Sequence, residues 1–316
     1  MNILIAGAGA IGSVVGGFMA EHGHAVSLIG RAAHMEAIRA GGLHVTGIWG
    51  KHHVTGIDTR TSGEGFRRGE FNLILVTVKA YDTAATAALI SPLVDDNTLV
   101  CSYQNGLGNA EAIAARIGWE RTIGARAIYG VVVRAPGHVD VTVIANPTAI
   151  GAYHADAPVA RVREIAEAMH AAGMPTVYTD RIRTVLWNKV AYNCALNPMS
   201  ALLDVPYGAL LDTEHTRETM REIVHELYAV AKVMDVPMDP ATPEAYIPHL
   251  FNDLIPPTAA HYASMRADFI NLRRTEIDAL NGAIARLGDQ HGIACPTNTL
   301  LTRLVHAKEF ALGSVR

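Results

Sequence analysis

The sequence predicts an α/β first half built on a parallel sheet, followed by an all-helical second half. Short apolar runs alternate with helical patterns in the first hundred or so residues, a β-rich interval lies between Ala127 and Tyr153, and long 3.6-residue periodicities follow about Asp180. With 316 residues, 50% of them hydrophobic, the chain can bury two cores. The expected domains are therefore residues 1–180 and 181–316.

In order, Asn2 to Ala6, Ala25 to Ile29, Leu73 to Val78 and Thr98 to Cys101 read as strands. Helical segments are expected near Gly12 to Glu21, Met35 to Ala40, Thr83 to Leu93 and Asn109 to Ile117. The runs Ile128 to Val133, His138 to Ile144 and Thr148 to Tyr153, punctuated by Pro136-Gly137 and Asn146-Pro147, suggest an antiparallel extension of the sheet. A helix from Val159 to Ala172 and a strand from Thr176 to Tyr178 close the first half, and helices over Thr184 to Leu202, Arg217 to Met234 and Ala259 to Gly288 dominate the second.

The formal net charge of −4 and the lack of a long Lys/Arg block argue against nucleic acid and anionic membranes as partners. Three separated cysteines, Cys101, Cys194 and Cys295, form no CxxC, so neither a disulfide framework nor a zinc knuckle is expected. The N-terminus opens into an apolar strand without a basic leader, and no apolar run reaches the ~18 residues of a membrane span. The expectation is a cytoplasmic protein with a small-molecule partner, and a homodimer is kept open. His225-Glu226 lacks the second histidine of HExxH, and Gly50-Lys51 lacks the rest of a phosphate loop, so no metal is expected.

The strand Asn2 to Ala6 runs into Gly7-Ala8-Gly9-Ala10-Ile11-Gly12 and then a helix. A GxGxxG string alone is weak, but between a strand and a helix it is built to hold a dinucleotide pyrophosphate on free N–H groups and a positive dipole end. About 20 residues further on, a plain ribose is usually read by Asp or Glu. Gly30-Arg31 stands there instead, and a guanidinium suits a 2′-phosphate, which favours NADPH over NADH. The alternative is that Arg31 merely begins a solvated loop.

Loops after the next strands, Val78-Lys79-Ala80-Tyr81 and Gln104-Asn105-Gly106-Leu107-Gly108, should face the ligand, since ligands of open parallel sheets bind beyond the strands' carboxyl ends. Lys79 is a candidate for a phosphate, and Asn105 for ribose or substrate. A surface charge and an ordinary Asn-Gly turn are the plainer readings.

In the helical half, Lys189, Asn193 and Asn197 are spaced i, i+4, i+8 among apolar Val190, Ala191, Cys194, Ala195 and Leu196. They share one face of a largely buried helix, where unpartnered polar groups are costly. A ketone substrate would give them a purpose: the oxygen becomes alkoxide when hydride arrives, and a lysine with an unperturbed pKa of ~10.4 can protonate it. Lys189 is the candidate general acid, against the ordinary fate of a lysine that reaches to water. A second cluster, Ser264, Asp268 and Glu276, has spacings that allow one helix face, but its acids have Arg266, Arg273 and Arg274 as structural partners to hand.

Taken together these residues resemble the ketopantoate reductases, or 2-dehydropantoate 2-reductases. The likeness covers almost the whole chain, from Gly7 to Gly12 through Val78-Lys79, Gln104 to Gly108 and Trp187-Asn188-Lys189, then Arg273 to Asp278, Asn281-Gly282, His291 to Ala294 and Pro296-Thr297-Asn298. It implies a Rossmann domain joined to a helical domain of the 6-phosphogluconate-dehydrogenase-like type, with substrate in the cleft between them. It further implies reduction of ketopantoate to (R)-pantoate by NADPH in pantothenate biosynthesis.

By the resemblance, Lys189 is the proton donor, Asn193, Asn197 and Ser264 hold substrate, and Glu276 lies by cofactor and substrate. Arg31, Lys79 and Asn105 would contact cofactor, Asn105 also substrate, and Gly130 would add a backbone contact to cofactor. The family commonly has a third substrate-binding asparagine where this chain has Tyr207, in Val205-Pro206-Tyr207-Gly208. Exchanging an amide for a phenol changes pocket volume and hydrogen bonding, and either can change the substrate. Another branched or bulky 2-keto acid, or a non-catalytic NADP(H) sensor, are the rival readings.

Overall fold

The structure, a computed structural model, describes residues 1–315. It divides into two compact units: residues 1–104 with 109–182, and residues 105–108 with the chain from Arg183 on.

The first unit contains β1 (Asn2–Ala6), α1 (Ala10–Glu21), β2 (Ala25–Ile29), α2 (Ala32–Gly41), β3 (Leu43–Gly47), β4 (His52–Val54), β5 (Asp58–Arg60), β6 (Leu73–Val76), α3 (Thr83–Ile90), β7 (Leu99–Ser102), α4 (Asn109–Ile117), β8 (Thr122–Ala135), β9 (His138–Ala152), α5 (Val159–Ala171) and β10 (Thr176–Tyr178). Ten strands form one sheet in the order β4-β3-β9-β8-β7-β6-β1-β2-β5, with β10 beside β9. The pairs from β5 through β2, β1, β6 and β7 to β8 are parallel. β8 and β9 pair antiparallel, as the β-rich interval predicts.

Strand alternation explains the two-sided core. Ile3 and Ile5 of β1 join Val14, Phe18 and Leu28 on one face, while Leu4 and Ala6 join Ile74, Val76, Val100 and Ile113 on the other. Three strands between Leu43 and Arg60 were not expected; two of them have three residues each, too short for a period-2 signal to emerge. The two runs expected around Asn146-Pro147 are one strand, β9. Pro147 falls at a register irregularity between the Arg126–Ala149 and Ile128–Asn146 pairs, where a residue lacking an N–H is tolerated.

The second unit contains α6 (Ile182–Leu203), α7 (Glu214–Val233), α8 (Pro243–His249), α9 (Ser264–Ile270), α10 (Asn281–Gln290) and α11 (Pro296–Ala311). Its core joins Ala191, Cys194 and Leu196 of α6 to Ile223, Leu227 and Val230 of α7 and Val305 of α11, and Leu107 packs against it.

The long helix expected over Ala259 to Gly288 is not formed. α9 has only seven residues and ends in a Schellman turn: Arg273 N–H donates to Asp268 O at 2.8 Å and Leu272 N–H to Phe269 O at 3.1 Å. The left-handed position belongs to Leu272, with φ of 50°, not to glycine, so no glycine announces the stop. A helical turn at Ile277–Ala279 precedes α10.

Candidate active site

At the first unit's glycine turn, Gly7 adopts φ of 112°, and a Cβ there would lie 2.6 Å from Val78 N. A Cβ on Gly12 would meet Thr77 Oγ1 at 2.6 Å and Gly7 O at 2.7 Å, so the fold itself demands both glycines. Thr77 ties the turn to β6 by donating to Gly7 O at 2.8 Å. Gly9 differs: its φ is −88°, and a Cβ there would meet nothing nearer than Gly7 O at 3.9 Å.

Gly7 and Ala8 give their N–H groups to Ile29 O, and no side chain caps α1. The turn thus offers a side-chain-free backbone at Gly9 and the open N-terminus of a 12-residue helix through Ala10, Ile11 and Gly12, which fits a dinucleotide pyrophosphate.

Arg31 follows β2 as the N-cap of α2. It is exposed, and its guanidinium has no hydrogen bond or ion pair to another described residue. Asp58 of β5 accepts from Arg60 at 2.9 Å and Ser27 at 3.1 Å. β5 also sets Arg60 opposite Ile29 at the end of β2, a cation missed in the sequence because its strand is so short. Lys79 is half-buried in extended backbone after β6. Gly130 sits in β8 beside a register irregularity, where a Cβ would lie 2.8 Å from Thr142 Oγ1 and 2.9 Å from Val143 Cγ1.

In the second unit, the loop Asn105–Gly108 docks through Leu107 N–H, which donates to Ala279 O at 2.8 Å. Gly106, with φ of 85°, brings its backbone so close to Ala279 O that a Cβ would lie 2.4 Å away. This places Asn105 against α6, where Lys189 Nζ donates to Asn105 Oδ1 at 2.7 Å.

Lys189 and Asn193 are half-buried and Asn197 is 5% exposed, as a stripe facing inward should be. A recess is lined by Asn105, Asn197, Ser264, Met265, Asp268, Glu276 and Leu280. Ser264 and Asp268 come from α9, but Glu276 does not share their helix; the Schellman turn at Leu272 returns the chain to the recess. Arg266 pairs with Asp204 and Arg274 with Asp278. Asp268 is 6% and Glu276 9% exposed.

Tyr207 does not line this recess. Its hydroxyl donates to Asn197 Oδ1 at 2.7 Å, and its ring meets Tyr192 edge-on at 5.9 Å. Burial, then the nearby Tyr192 hydroxyl, pushes the Tyr207 phenol well above its ordinary value, so it stays a donor. With Oδ1 taken, the part of the Asn197 amide left for a ligand of the recess is its NH2, a donor suited to a carboxylate or a ketone oxygen. Neither the Asn193 amide nor the Ser264 hydroxyl is bonded to another described residue.

Pro198 interrupts the hydrogen bonding of α6 immediately after Asn197. Its missing N–H would have served Cys194 O, and Asn281 Nδ2 donates there at 3.1 Å. Asn281 also donates to Asn298 Oδ1 at 2.9 Å, and Asn298 Nδ2 donates to Glu226 at 2.7 Å. Asn281 was named in the sequence as part of the resemblance; the proline that needs it explains why an amide stands there.

Among the described residues, no group of three or more His, Cys, Asp or Glu is placed to hold a metal, and no helix is long and apolar enough to cross a membrane.

The sequence pattern described as ketopantoate reductase PanE/ApbA matches residues 3–155, and that of the C-terminal part of the same family matches residues 181–309. The 2-dehydropantoate 2-reductase of Aquifex aeolicus is 36% identical over 309 residues, covering 98% of this chain and 97% of its own. That of Pyrococcus horikoshii is 36% identical over 312 residues, covering 98% of each chain. A ketopantoate reductase structure from Ralstonia eutropha superposes with a TM-score of 0.88 at 31% identity, covering 99% of this chain and 100% of its own. The ternary structure of a D-mandelate dehydrogenase with NADH and anilino(oxo)acetate does so with a TM-score of 0.89 at 29% identity, covering 99% of each chain. With both halves of its sequence and its full length accounted for in this way, the chain belongs to the ketopantoate reductase family, an oxidoreductase with a Rossmann-type first half and a helical second half.

Proposed function

We propose that this chain reduces 2-dehydropantoate to pantoate with NADPH, and that Lys189 is the proton donor. The observation that carries the reading is the 2.7 Å bond from Lys189 to Asn105, which fixes an ammonium beside the free Asn193 amide in a chain of this family. Bound NADPH supplies the hydride to the ketone carbon. Lys189 gives its proton to the oxygen, completing the alcohol, and regains one from solvent. Asn193, Asn197 and Ser264 hold the acid, and Glu276 orients substrate and nicotinamide from the recess. Gly7 to Gly12 cradle the pyrophosphate, Arg31 takes the 2′-phosphate, and Lys79, Asn105 and the Gly130 backbone hold other parts of the cofactor.

Tyr207 supports a second reading, a bulkier 2-keto acid. The D-mandelate dehydrogenase neighbour was solved with an aromatic oxoacetate, and here a phenol stands where the family's third substrate asparagine is expected. Its NADH contrasts with the unpaired Arg31 of this chain. An NADPH-oxidation assay with ketopantoate, 2-ketoisovalerate and phenylglyoxylate separates the readings. Ketopantoate should give the highest kcat/KM; negligible ketopantoate turnover beside strong phenylglyoxylate turnover would replace it, and no turnover of any acid would favour a sensor.

A further inference from the structure

Glu276 sits in a segment gripped on both sides from α11. Just before it, Thr275 N–H donates to Glu309 Oε1 at 2.6 Å. Two residues after it, Asp278 Oδ1 meets His306 Nε2 at 2.8 Å, and the other ring nitrogen, Nδ1, meets Glu309 Oε2 at 2.9 Å. Arg274 closes the segment on itself by donating to Asp278 Oδ2 at 2.9 Å. One imidazole therefore joins both anchor points.

The chemistry of this ring is constrained. Glu309 is fully buried, which is tolerable for a carboxylate only with close donors or a counter-charge. Ionised carboxylates only accept, so an imidazole between two of them must donate from both nitrogens. We propose that His306 and Glu309 act as a clamp that positions Glu276 at the recess, and that the clamp is complete only with a proton on both ring nitrogens. This rests on the reading of the recess as the reductase site.

Burial opposes protonation of His306, but its bonds to Glu309 and Asp278 and their charges outweigh it and hold the ring above its ordinary value. The charged groups facing the ring are Asp278 and Glu309, with Arg274 behind Asp278. On α7, Glu222 and Glu226 meet α11 at its other end, at Thr297 and Asn298. Lys308 turns away to Ala201 O. Because the pKa is raised, the clamp is intact below the ordinary histidine value and weakens as pH rises through the folded one.

The test compares wild type with His306→Gln and Asp278→Ala, the second removing the exposed arm together with the Arg274–Asp278 bond and leaving the buried Thr275–Glu309 bond in place. Each variant should lower kcat for the keto acid by roughly tenfold or more, the scale of a small misplacement of a site group. NADPH affinity should fall much less than kcat, and amides 273–279 should exchange faster with deuterium. The fall of kcat with rising pH that is due to His306 should be present in wild type and lost in both variants. Wild-type kcat and pH profile in Asp278→Ala would overturn the proposal, as would unchanged exchange at 273–279 in both variants. Exchange is measured without turnover, so it decides the clamp even if no keto acid is reduced and the reductase reading falls.

Discussion

Asn281 donates its side-chain amide to the Cys194 carbonyl at 3.1 Å, the acceptor that Pro198 leaves without a helical partner. The break in α6 is thus sealed by a residue of α10, and Asn197 beside it keeps a defined direction.

Replacing Asn281 by Leu should strand that carbonyl and destabilise the protein by about 1–3 kcal/mol. In a Pro198→Ala background the helix can supply its own N–H, so the same replacement should be milder. Urea unfolding of the four proteins yields the coupling; additive losses would show that Asn281 does not serve this carbonyl, since its bond to Asn298 is lost in both backgrounds.

Lys189→Ala should lower kcat by roughly 10²–10⁴-fold, the usual worth of a general acid. NADPH titration should show near-native affinity. A turnover close to wild type would remove Lys189 from the chemistry.

Arg31→Ala should weaken NADPH far more than NADH, because only the former carries the 2′-phosphate. Dissociation constants for both cofactors check it, and equal losses would leave Arg31 as a loop residue.

Tyr207→Asn removes the aromatic ring beside Tyr192 and the donor to Asn197. It should shift the kcat/KM ratio by about tenfold or more from phenylglyoxylate towards ketopantoate. Tyr207→Phe isolates the hydrogen bond from the ring: Asn197 is freed to rotate, and KM should rise more than kcat falls. Identical substrate ratios in all three proteins would place Tyr207 outside specificity.

His34 provides a stability test in the first unit. Its Nδ1 accepts from Gly137 N–H at 3.0 Å, so Nε2 carries the proton and donates to Ser13 Oγ at 2.9 Å. Burial holds the ring below its ordinary value. The unfolded chain therefore binds a proton first as pH falls: the contribution is complete above about 6.5, the unfolded value, and declines below it until the lowered folded value is passed. His34→Gln should flatten the urea stability curve between pH 7 and 5, and a parallel, merely offset curve would contradict this.

The frame of the first unit was legible because β1, β2 and the alternation after them depend on local apolar runs. The strands over Leu43 to Arg60 were not: β4 and β5 have three residues each, too short for a period-2 signal, and β3 and β5 find their places beside β9 and β2 only in the folded sheet. The site divides in the same way. Lys189, Asn193 and Asn197 could be found from helical spacing, whereas Glu276 required the resemblance. Its approach depends on a Leu in a left-handed conformation at position 272, which helix periodicity reads as continuation. Asp268 was seen but set aside, because Arg266, Arg273 and Arg274 near it in sequence read as its structural partners; in space Arg266 pairs with Asp204 and Arg274 with Asp278.

Gly9 separates two kinds of constraint within one motif. Gly7 and Gly12 are required by the protein's own atoms and would persist in a descendant that had lost its dinucleotide. Position 9 has room for a Cβ at ordinary contact distance, so the protein's own atoms do not require glycine there, and a bound pyrophosphate would. A side chain at position 9 between two intact glycines would therefore identify, among sequences of this shape, those that have kept the scaffold and abandoned the cofactor.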